Sequence, residues 1–278
     1  MQPGPRRAAF ATTVLFLLVA AIFLMAASRP IPVHRRAALQ LPREPPPAFP
    51  GRNSHVELYL VTRAIPPERW GDYLADAPDA AIERLRRMER APSLAENAFP
   101  ECGASGLACL RSAKANPEGA RDARRASLDM LRIIQTFQSE QRYLRFVGRY
   151  HFDAELPPTY GMHAPVRLDA AVHALDGDVD VGLAALCRHA EFWRGLRSRS
   201  DNLVVDMMGL VYMVGAAQGA AEILAEFPGA AVPEPCDTAF APLADHELMQ
   251  CLSLRREFEE TIEALSTFPA IQRAEGGF

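Results

Sequence analysis

The chain has 278 residues, 49% of them hydrophobic and 23% charged, with a formal net charge of −4. That is the balance of a globular protein rather than a disordered one, and without a basic stripe it offers little to a nucleic-acid backbone. The basic residues are almost all arginine; Lys114 is the only lysine and Ala115 follows it, so no phosphate-binding Gly-Lys-Ser/Thr loop exists.

In chain order, MQPGPRR precedes an uncharged run from Ala8 to Ser28. About 20 residues at 1.5 Å rise cross a hydrocarbon core, whereas a signal peptide has an apolar region of only about 7–15. The expectation is a signal-anchor over 8–28 seated in the lipid bilayer, with 1–7 as a short cytoplasmic tail. The small residues Ala26-Ala27-Ser28 leave a cleaved signal peptide as the alternative.

Charge bias alone is close to neutral, or even keeps the C-terminal part in the cytoplasm, since Arg6 and Arg7 precede the span while Arg29, Arg35, Arg36 and Arg43 follow. The cysteines favour an oxidising, periplasmic side. Cys102 and Cys109 bracket one short loop, and Cys236 and Cys251 another, which points to two disulfides with Cys187 as a buried thiol. Fully reduced cysteines in a cytosolic domain are the alternative. Neither pair has the spacing of zinc ligands.

Residues 29–52, rich in proline and charge, read as a stiff spacer, and residues 53–278 as one folded domain. HVELYLVT, residues 55–62, is the one stretch with β-character and is left open. Residues 80–90 read as a short charged helix. Asn116 caps a long helix with Pro117 in its first turn, carrying Met130, Ile133, Ile134, Phe137, Leu144 and Val147 on one stripe. Further helices start near Pro165, after Asp178 and after Ser200-Asp201-Asn202, and a last one spans about 245–267. Leu203–Ala221 is apolar enough to suggest a second span, but Asp206, Gln218 and Glu222 favour a buried central helix. The fold class is all-α, a bundle of antiparallel helical hairpins.

Candidate chemistry is thin. In ALDGDVDVGLAAL, residues 174–186, three aspartates alternate as in a calcium loop. Counting from Asp176, however, positions six and twelve are Val181 and Cys187, where glycine and glutamate are required. The stretch reads instead as a helix–turn–helix joint with Gly177 as a left-handed cap, Asp178 as N-cap and Asp180 in the first turn. It resembles the joints of tetratricopeptide-type hairpins, but it occurs once and without the repeat period.

His246-Glu247-Leu248-Met249-Gln250 lacks the second histidine of a zinc-protease motif. Asp169 and His173 sit four apart on one helix, where His163 and His189 can join them. His173, His189 and Trp193 form the candidate binding surface. No catalytic, cofactor or metal residue is assigned, and no cofactor is expected.

The function expected is that of a non-enzymatic, membrane-anchored scaffold or interaction module of the inner membrane. Its partner would be another envelope or inner-membrane protein. The alternatives are an envelope hydrolase using the histidines or the carboxylates of Glu257, Glu259, Glu260 and Glu263, or a small-ligand sensor.

Overall fold

A computed structural model of the chain describes residues 48–89, 94–103, 108–145, 159–248, 250, 252–259 and 261. The expected tail and anchor, most of the spacer and Cys251 lie outside these residues. Contacts with the helical region reach back at least to Phe49, whose ring meets Tyr143 at 6.1 Å.

The described residues are predominantly helical. A two-residue strand β1 (Arg52–Asn53) pairs in parallel with β2 (Arg142–Tyr143). Around this clasp lie α1 (His55–Thr62), α2 (Gly71–Leu74), α3 (Pro78–Arg86), α4 (Leu94–Ala98), α5 (Cys109–Ala115), α6 (Pro117–Ala126) and α7 (Leu128–Gln138). The second half holds α8 (His163–Asp176), α9 (Val179–Arg197), α10 (Leu203–Glu226), α11 (Glu234–Ala239) and α12 (Asp245–Leu248). Central to it is α9, which packs against α8, α10 and α11.

The stretch left open at 55–62 is helical, and all eight of its residues are buried. A helix apolar all round has no solvent face, so period alone cannot separate it from a strand. The long helix expected from Asn116 is two helices. Asn116 Oδ1 accepts from Gly119 N at 3.1 Å, as a cap should, but Ser127 divides α6 from α7 and its hydroxyl bonds back to Ala123 O at 2.8 Å. The stripe also stops at Gln138. Leu144 bridges in parallel to Ser200 instead, and Val147 lies outside the described residues. The last helix is likewise divided, with α12 ending at Leu248 and a helical run resuming at 252–259.

The joint at 174–186 turns through Gly177 at φ 92°, a left-handed conformation that glycine adopts without a Cβ penalty. One expectation fails there. Asp178 occupies the N-cap position but makes no capping hydrogen bond; its carboxylate lies 3.6 Å from His173 Nδ1. Asp176 pairs with Arg121 at 2.7 Å. With the aspartates turned to different partners, the joint does not converge on a cation. Asn202 does cap α10, accepting from Val205 N at 3.0 Å.

Disulfides join Cys102 to Cys109 and Cys187 to Cys236. The second corrects both the Cys236–Cys251 pairing and the free thiol at Cys187. Packing of α11 on α9 brings the Cα atoms of Cys187 and Cys236 within 4.8 Å. Sequence distance favoured the shorter loop; tertiary packing selects the longer one. Two bridges fit an oxidising compartment.

Candidate functional site

The residues expected as a binding surface are not one. His189 and Trp193 are fully buried, and only His173 is partly exposed. The histidines divide into two groups. Asp169 carries an ion pair with Arg124 at 2.5 Å, and His173 Nε2 lies 2.9 Å from Arg124 Nη2 and 3.7 Å from Asp169. This arrangement ties α6 to α8.

His163, ten residues earlier on α8, joins His189 instead. Gln138 Nε2 lies 2.7 Å from His189 Nδ1, and His189 Nε2 lies 3.1 Å from His163 Nδ1, so the three side chains form one hydrogen-bonded chain. The Tyr212 ring stacks on His163 at 5.0 Å, and Trp193 meets Tyr212 edge-on at 4.7 Å.

Both imidazoles are held neutral. Burial pushes His189 down to about 3, and burial, with His189 and Arg167 nearby, holds His163 well below its ordinary value. There is no room for a ligand at this chain. A Cβ added to Gly215 would lie 2.2 Å from His163 Nε2, so the helices close over the ring. No group of three or more His, Cys, Asp or Glu among the described residues is placed to hold a metal.

Arg194, Glu247, Gln250 and Glu259 are engaged in contacts within the chain. Arg194 forks onto Glu247 at 2.6 and 2.7 Å and donates to the carbonyls of Thr238, Ala241 and Pro242. Gln250, where a zinc ligand would stand, donates to Asp206 at 2.9 Å. Glu259 pairs with Arg255, while Glu260 and Glu263 lie outside the described residues.

Two surface features remain. A cleft of about 380 Å³ lies where α7, α8 and α9 meet, lined by Leu131, Gln138, Val166, Asp169, Ala185 and Arg188. Arg188 is exposed there and makes no ion pair or hydrogen bond among the described residues.

The second is the outer face of α10. By length and composition this helix can cross a membrane, but its inner face is buried through Val205, Met208, Tyr212, Ala216 and Ile223. Gly215 and Gly219 let α10 approach His163 and Leu186 closely. On the outer face, Val204, Met207, Leu210, Val211 and Val214 are 36%, 56%, 44%, 39% and 48% exposed. They are five of the eleven large apolar side chains exposed among the described residues, so the exposure is concentrated on one helix.

Each acidic residue of α10 has a partner on the protein. Asp206 binds Arg197 and Gln250, Glu222 accepts from Leu110 N, and Glu226 pairs with Lys114. A surface helix ordinarily turns charged or polar residues to solvent; this one turns valine, leucine and methionine. Composition signalled an apolar helix but not that half of it faces outward.

Comparison with protein-family models, with curated proteins and with solved structures returns no match.

Proposed function

We propose that this chain is a membrane-anchored, non-enzymatic α-helical envelope protein that works through protein contact, with α10 as its contact face. The observation that carries the reading is the uncharged outer face of that helix. Contiguous apolar surface of a few hundred Å² on an otherwise charged protein marks an interaction site. The apolar run at 8–28, the proline-rich spacer and the two disulfides support an inner-membrane anchor, with the helical hairpins held on the periplasmic side. A tether concentrates the face near partners in the same membrane, so a modest contact suffices. The closed chain of His163 and His189 argues against a hydrolase built on those two histidines.

Two measurements on the full-length protein in cells test this. Alkaline phosphatase fused after Phe278 is expected to be active, because it folds only outside the cytoplasm. A photo-crosslinking amino acid at position 207 is expected to yield a discrete protein adduct. An inactive fusion overturns the orientation, and the absence of any protein adduct overturns the contact face.

The cleft favours a second reading, a small-ligand sensor. Arg188, which makes no ion pair among the described residues, lines the cleft with Asp169 and Gln138 and suits a small anionic or zwitterionic solute; the volume lies within the range of ligand pockets. A screen of such solutes by thermal denaturation decides it. One that raises the midpoint for the native chain, but not for Arg188→Ala, supports the sensor; a set that shifts neither removes it.

A further inference from the structure

The outer face of α10 is not merely apolar; its spacing is that of a helix seam. Val204, Met207, Val211, Val214, Gln218, Ala221 and Ala225 follow one another at alternating steps of three and four residues. Steps averaging 3.5 keep a single line of side chains facing a second helix along its whole length, as at the a and d positions of a coiled coil. All seven are exposed or half-exposed, so no described part of the chain fills the seam.

We infer that the partner of this face is a second copy of the same chain, α10 against α10, and this rests on reading α10 as the contact face. A two-fold interface places one patch against its own copy, so the patch must be self-complementary. An ionised stripe would set like charge on like charge. This stripe carries no ionised residue from end to end, because Asp206, Glu222 and Glu226 are turned to Arg197, Leu110 N and Lys114.

The same charge pattern argues against a lipid surface. Helices lying on membranes are rich in Lys and Arg, and α10 has neither. At the C-terminal end of the seam, Ala221 and Ala225 permit close helix approach. Gln218, the one polar residue in the line, can meet Gln218 of its copy or a neighbouring carbonyl, fixing register as a lone polar core residue does in coiled coils.

One helix face is smaller than the roughly 800 Å² per partner of a standard interface. The dimer is therefore concentration-dependent in solution and favoured where both copies are anchored in one bilayer.

The experiment uses the full-length protein purified in non-ionic detergent. Its protein mass is followed by sedimentation across a hundredfold concentration range, beside the double variant Met207→Arg, Val214→Arg. The native chain should shift from one to two chain masses as concentration rises. The variant, which would set arginine against arginine, should stay at one. Because both positions are solvent-exposed, an unchanged circular dichroism spectrum and melting curve should accompany the loss.

A photo-crosslinker at position 207 gives the second arm, with position 232 as an off-seam control, since Val232 is equally exposed at 56%. The adduct from 207 should carry peptides of α10 from both copies, and position 232 should give none. A native chain that stays monomeric, a variant that dimerises equally well, or an adduct to lipid or to residues 262–278 of its own chain overturns the inference. An adduct to a different protein also overturns it, while leaving α10 as a contact face. No adduct at all removes both.

Discussion

Glu57 and Arg142 are 85 residues apart in the chain and meet in the interior with almost no exposed surface. Arg52 adds a second guanidinium to the same carboxylate at 3.1 Å. Removing Glu57 leaves buried Arg142 with only the half-exposed Glu140 carboxylate at 3.7 Å, and breaking such a buried pair costs about 3–5 kcal/mol. Glu57→Gln should therefore lower the midpoint of urea unfolding substantially. Glu83→Gln breaks the exposed i,i+4 pair with Arg87 and should change stability by no more than about 0.5 kcal/mol. Equal losses for the two variants would show that the interior pair contributes no more than a surface one. Neither this pair nor the Gln138 contact with His189 was legible in the sequence, which grouped His163 and His189 with Asp169 and His173 rather than apart from them. An i,i+4 spacing such as Asp169–His173 can be read from the chain, whereas a polar contact across the core depends on which helices pack. That is why Trp193 and His189 looked like surface candidates: their types suit binding, but their burial follows from the position of α10.

At the scale of elements, the longest helices were the most legible. Apolar spacing located α8, α9 and α10, the Asn202 cap marked the start of α10 and the Gly177 turn the end of α8, while Asp178 makes no cap at the start of α9. Divided elements were not, because a helix-compatible pattern continues across Ser127 although its hydroxyl turns back to the preceding carbonyl. Close packing between elements gives a sharper test. Alanine ordinarily stabilises a helix interior over glycine by about 1 kcal/mol. At Gly215, however, the new methyl meets a His163 ring pinned between His189 and Tyr212, and such overpacking costs about 1–3 kcal/mol. Gly215→Ala should lower the melting temperature. At Gly71, where a Cβ has no neighbour within 4 Å, the same change should be neutral or raise it slightly. The two disulfides differ in the same measurable way. The Cys187–Cys236 bridge closes a separation of 49 residues against 7 for Cys102–Cys109. Loop-closure entropy then assigns them about 4 and about 2.5 kcal/mol. Cys187→Ser with Cys236→Ser should thus destabilise more than the corresponding pair of changes at Cys102 and Cys109. The reverse order would mean that native contacts around the short loop outweigh chain entropy.

For the molecule as a whole, three buried histidines set a direction for its response to acid. His189 is lowered to about 3 by burial and His163 also lies well below its ordinary value, while His55 is lowered to about 4 by burial and by the Arg86 guanidinium. In the unfolded chain each returns to about 6.5. Between these limits the unfolded state binds protons that the folded state refuses, so unfolding becomes more favourable as pH falls. Their contribution to stability is complete above about pH 6.5 and is lost progressively toward pH 3–4. With all three refusing a proton, the slope approaches about 4 kcal/mol per pH unit, a large fraction of the stability of an ordinary domain. Urea midpoints should be flat from pH 8 to 7 and fall steeply from 6 to 4. Substituting His189→Gln and His163→Gln together removes two titrating groups. The variant should be less stable at pH 8 yet fall less steeply below pH 6. The His189 and His163 imidazole signals should keep their neutral shifts well below pH 6.5 for as long as the chain stays folded. A native chain as stable at pH 5 as at pH 8, or a variant with an unchanged slope, would mean that these rings accept protons without disturbing the core. The closed packing of His163 against Gly215 and Tyr212 argues against that outcome, because an imidazolium there would face His189 and Arg167 and no carboxylate among the described residues.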